Sequence, residues 1–80
     1  MPLKRYNITG KYIQRARLKE GISQQRLATI LQECGFEIDT DLIYRIEAEN
    51  EFVPDYLLIA FSSVLNVPYE YFFGRKSHKY

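Results

Sequence analysis

Arg17 and Glu47 are the residues of this chain whose types and placement say most about chemistry. A guanidinium and a carboxylate can form a two-pronged, charge-assisted hydrogen bond. Gly21-Ile22-Ser23-Gln24-Gln25-Arg26-Leu27-Ala28 follows Arg17 closely, and Glu47 closes Ile43-Tyr44-Arg45-Ile46-Glu47. The pattern reads as a helix, a tight turn, a capped second helix, a longer turn and a third helix ending in a carboxylate. Arg17 would stand near the end of helix 1 and Glu47 near the end of helix 3, so their pairing would lock the two helices together. Reactive constellations are missing: there is no paired-carboxylate, metal-ligand, nucleophile–base or glycine-rich phosphate pattern. The expectation is a protein that is not an enzyme and has no cofactor and no metal site. Cys34 is the one cysteine, which excludes an intramolecular disulfide, and it reads as a helix-end residue. The one histidine, His78, is far from it in sequence.

The elements that would position the pair are helical. Tyr12, Ile13 and Ala16, extended by Leu18, make the apolar stripe of helix 1, and Thr9 is a candidate for its cap. Gly21 suits the position just past that helix and Ser23 the N-cap of the next. Leu27, Ala28, Ile30 and Leu31 would be the buried side of helix 2, stopped by Gly35. Asp39 or Thr40 should cap helix 3, whose Ile43 and Ile46 face the core with Leu42 or Ile38. Asn50 to Val53 reads as a loop, and Pro54 suits the first turn of helix 4. That helix carries Leu57, Leu58, Ala60, Phe61, Val64 and Leu65. Pro68 would start a short fifth helix, Tyr69 to Phe73, ended by Gly74. One domain of 80 residues is expected, with a core over about 9–74 and a basic tail at 75–80.

Net charge is only +1, but the charges are unevenly spread. Residues 1–26 carry seven Lys or Arg and one acid, residues 27–58 eight acids and one base, Arg45. Residues 59–80 carry three bases and one acid. Basic ends and an acidic middle bear on any polyanionic partner. The longest apolar run falls far below the roughly 18 residues a membrane span needs. Met1 to Asn7 lacks the apolar stretch of a signal peptide, so a cytoplasmic protein with no membrane partner is expected.

From Gly10 to Gly74 the chain resembles the Cro/phage-repressor helix-turn-helix family, also called the XRE family. Arg17, Gly21-Ile22-Ser23-Gln24, Leu27-Ala28, Ile43, Ile46, Glu47, Leu65-Asn66-Val67 and Tyr71-Phe72-Phe73 carry the resemblance, in the family's order. It implies an all-α fold: a compact five-helix, lambda-repressor-like helix-turn-helix domain, here with an extended turn between helices 2 and 3. Three features depart from the family pattern. The stretch from Ala28 to Asp39 is several residues longer, Glu49 stands where glycine is frequent, and the loop Glu49-Asn50-Glu51 is acidic where Lys or Arg is common.

The resemblance implies a transcriptional regulator that binds double-stranded operator DNA with helix 3 in the major groove. The N-terminus of helix 2 would point backbone N–H groups at a phosphate, with Gln24 bracing that contact. Thr40, Asp41, Tyr44 and Arg45, and less centrally Leu42, would be the outward positions of helix 3. Arg45 could pair with guanine O6 and N7 or with a phosphate. Asp41 could accept from cytosine, or simply favour the helix N-terminus. Tyr44 could contact the sugar-phosphate backbone, or pack on the extended turn around Phe36. Lys11, Arg15 and Arg26 are candidate phosphate contacts, as are Lys4 and Arg5. Arg17 and Glu47 are assigned to structure. A homodimer on two half-sites is expected, using some of Tyr69, Tyr71, Phe72, Phe73 and Tyr80. The rival reading is a protein-interaction module on the same scaffold, an antitoxin or anti-repressor, whose acidic middle meets a basic protein partner.

Overall fold

Asn7 is the first residue that the computed structural model describes, and Gly74 the last (residues 7–74). The expectations for Lys4, Arg5, His78, Tyr80 and the tail at 75–80 lie outside these residues. Asn7 Oδ1 accepts from the N–H groups of Thr9 at 3.0 Å and Gly10 at 2.7 Å, so it closes the start of α1 (Gly10–Lys19). Thr9 was expected in that role, but its side chain makes no cap hydrogen bond. Its backbone is already helical (φ −102°, ψ −14°), whereas a capping side chain works from extended backbone.

Buried Gly10, Ile13, Ala16 and Arg17 recur at helical spacing along α1. Leu18 falls off that stripe and is 60 % exposed, contrary to its expected place in the core. Gly21, at φ +73°, ends the helix in the left-handed region where glycine is favoured. Ser23 Oγ then accepts from Arg26 N–H at 2.9 Å and caps α2 (Gln24–Glu33). Leu27, Ala28 and Leu31 are buried, while Ile30 is only half-buried.

The long connection to α3 (Thr40–Glu47) is a real turn and not an extension of α2. Gln32 Nε2 braces it by donating to the Ile38 carbonyl at 2.7 Å. Asp39 is the cap of α3: its Oδ1 accepts from Leu42 N–H at 2.8 Å. Ile38, Ile43 and Ile46 enter the core, with Leu42 packed at its edge. The C-terminus of α3 closes with Asn50 N–H on the Arg45 carbonyl at 2.9 Å and with Glu49 at φ +65°. Pro54 precedes α4 (Asp55–Leu65) with extended backbone, one residue ahead of the first turn. Leu57, Leu58, Ala60, Phe61 and Leu65 are buried there, and Val64 is half-buried.

The fifth element, Tyr69–Phe73, is a 3₁₀ helix rather than an α-helix. It runs only five residues, from Pro68 to the left-handed Gly74, and 3₁₀ geometry is confined to short pieces of chain. The described residues thus form a small all-helical fold with four α-helices and no strand. α2 packs on α3, and α1 on both α3 and the 3₁₀ helix. Phe61 and Phe72 plug the centre. α1 and α3 cross so closely at Gly10 that a Cβ there would overlap the Ile46 carbonyl oxygen.

Candidate functional site

One buried carboxylate gathers three helices. Arg17 Nε donates to Glu47 Oε2 at 2.6 Å and Nη2 to Oε1 at 3.0 Å. Gln24 Nε2 donates to the same Oε1 at 2.9 Å, so the first residue of α2 joins the pair. Arg17 Nη1 donates to the Ile22 carbonyl at 2.8 Å, which pins the α1–α2 turn as well. Both ionic side chains are almost fully out of water, at 8 % and 2 % exposure. A pair so buried holds only when its remaining hydrogen-bonding positions are satisfied, and Gln24 and Ile22 satisfy them here. Asn7 adds a second tie at the same C-terminal end of α3, donating from Nδ2 to the carbonyls of Ile46 at 3.2 Å and Glu51 at 2.8 Å.

α3 is therefore fixed at its C-terminal end and turns its other face outward. Thr40, Asp41 and Tyr44 are exposed. Tyr44 does not pack on Phe36, whose ring lies parallel to Tyr56 instead, with centroids 6.4 Å apart. Leu42, expected at the edge of the outward face, is half-buried against the core. Arg45 is held by two acids: Nη1 bonds Asp41 one turn earlier, and Nε donates to Glu51 Oε1 at 3.2 Å. The only base of the acidic middle is thus matched by carboxylates on both sides.

The other expected cations do not join this cluster. Lys11 Nζ and the Arg15 guanidinium lie 5.5 Å and 5.3 Å from the centre of the Tyr12 ring. Tyr12 in turn meets Tyr71 edge-on, at 6.0 Å between centroids, so these cations stand at the seam of α1 and the 3₁₀ helix. Arg26 is exposed on the first turn of α2. Among the aromatics expected at a dimer surface, Phe72 is fully buried and Tyr71 half-buried, which leaves Tyr69 and Phe73 at the surface, 5.5 Å apart.

Sequence reasoning missed Asn7, Gly10 and an apolar groove. Asn7 carried a readable signal, an Asx residue just ahead of a helical pattern. The groove measures about 850 Å³ and lies among the start of α1, the α2–α3 turn, the α3–α4 loop and α4. Among the described residues no cluster of His, Cys, Asp or Glu could hold a metal ion. Among them, too, no helix is long and apolar enough to cross a membrane. Comparison of the chain with protein-family models, curated proteins and solved structures finds no match.

Proposed function

We propose that this chain is a sequence-specific DNA-binding transcriptional regulator of the Cro/repressor type. On this reading it acts in the cytoplasm as a homodimer, and α3 of a lambda-repressor-like domain reads operator DNA in the major groove. The observation that carries the reading is the Arg17–Glu47–Gln24 network. A recognition helix must be held at a fixed angle to its neighbours, and this network fixes α3 to α1 and α2 while leaving Thr40, Asp41 and Tyr44 outward. Glu49 adds support: its φ of +65° is the conformation glycine favours, at the position where the resembled family commonly has glycine. Tyr69 and Phe73 offer an exposed aromatic pair for the dimer contact.

A second reading, a protein-interaction module with weak or no DNA binding, draws on Arg45. Asp41 and Glu51 already neutralise it, and a phosphate near them meets repulsion. Selection from a random pool of duplex DNA at moderate salt separates the two. The DNA reading expects an enriched motif, with two half-sites about 10 base pairs apart. Folded protein that enriches no sequence contradicts it and favours the interaction module.

A further inference from the structure

The groove beside α4 gathers several exposed apolar side chains around one concavity. Its lining includes Ile8, Phe36, Tyr56 and Phe73, and among the described residues the charged ones that line it are Glu37 and Glu51. Ile8 and Tyr56 are more than half exposed, at 54 % and 61 %. Single apolar side chains at a surface are ordinary, but several around one concavity mark an interaction site. The parallel rings of Phe36 and Tyr56 give it a flat, stiff wall. A shallower depression shares Glu37, Ile38 and Leu42 with the groove and adds Asp39 and Arg45. Arg45 is already bonded to Asp41 and Glu51, so the carboxylates outnumber the base along this edge.

We infer that this groove is a docking site for an amphipathic helical segment of another protein, apolar on one face and rich in lysine or arginine at its margins. Charge complementarity selects that occupant. Apolar anchors at i, i+3 or i+4 and i+7 fill a groove of this kind, and flanking cations meet the carboxylates at its rim. Glu37 and Glu51 work against an acidic helix and against an anionic lipid surface. The groove borders the edge of α3 that carries Leu42 and Arg45, and peptide binding to it is measured without DNA.

The test uses the full chain and two fluorescein-labelled synthetic peptides of about 15 residues, with leucine at the anchor positions. One carries lysine on its remaining positions, the other glutamate. Fluorescence anisotropy is expected to give the lysine peptide a Kd of about 10 µM, a range typical of modest interfaces, and the glutamate peptide a value at least about tenfold weaker. Tyr56→Ser, with an unchanged melting temperature, should weaken the lysine peptide about tenfold, the scale of a lost aromatic anchor. Glu37→Lys alters an exposed turn residue and should weaken the lysine peptide while strengthening the glutamate one. Equal binding of the two peptides, or no response to both Tyr56→Ser and Glu37→Lys, overturns the inference. So does concentration-dependent self-association that Tyr56→Ser abolishes while the lysine peptide fails to bind, because the occupant is then a second copy of the chain.

Discussion

Arg17 and Arg45 each bond a carboxylate on or beside α3, in opposite surroundings. Arg17 reaches Glu47 with both prongs in the protein interior, and every partner of the pair is a fixed part of another element. Arg45 meets Asp41 and Glu51 at the surface, where its side chain is 42 % exposed and Asp41 69 %. Water and salt weaken the outer cluster, while the inner one has no solvent to replace a lost partner. The same functional groups therefore serve two ends. The inner pair specifies how three helices sit together. The outer one sets the charge of a face at little cost to stability, and leaves Arg45 free to exchange partners.

The largest effect should come from breaking the inner pair. Glu47→Ala strands the Arg17 guanidinium and the Gln24 amide, and removing one partner of a buried pair costs about 3–5 kcal/mol. Urea unfolding should show the midpoint falling accordingly. An unchanged midpoint would mean that the pair does not hold α1 to α3. Gly10→Ala probes the same seam through shape alone. Its methyl group would press on the Ile46 backbone carbonyl, which has no flexible end to yield, so a loss of about 1–3 kcal/mol is expected from overpacking. Thermal melting of that variant at the parental temperature would show that α1 shifts freely against α3. At the outer cluster, Glu51→Gln should change stability by no more than about 1 kcal/mol, as exposed ion pairs do. A loss matching that of Glu47→Ala would erase the distinction between the two arginines.

Much of the fold can be read from local signals. Ser23 as a cap and Gly21, Gly35 and Gly74 as left-handed stops act within a few residues, and each takes its expected place. Arg17 and Glu47 are far apart in sequence, and their pairing was readable from their match to the resembled family's positions and from their places near the ends of helices 1 and 3. What escaped depends on distant backbone. Asn7 displaces Thr9 as the cap because the fold brings the carbonyls of Ile46 and Glu51 within reach of its amide. Gly10 looks like an unremarkable first-turn residue until α3 crosses it. Asp41 stands one helical turn from Arg45 and could have been paired with it from spacing alone. Glu51 arrives only through the path of the α3–α4 loop. The groove is invisible to periodicity because its walls come from four separate segments.

Arg45 is where the proposed function is most exposed to test. On the DNA reading it leaves Asp41 and Glu51 for a base edge, and a bidentate arginine–guanine contact is worth about 1–3 kcal/mol of discrimination. The decisive measurement is the affinity of Arg45→Ala for the selected DNA and for mixed genomic DNA, titrated side by side at one salt concentration. The account predicts a loss of about ten- to a hundredfold on the selected sequence, with nonspecific binding nearly unchanged. Binding of the selected sequence as tight as that of the parent chain would contradict the placement of α3 in the groove.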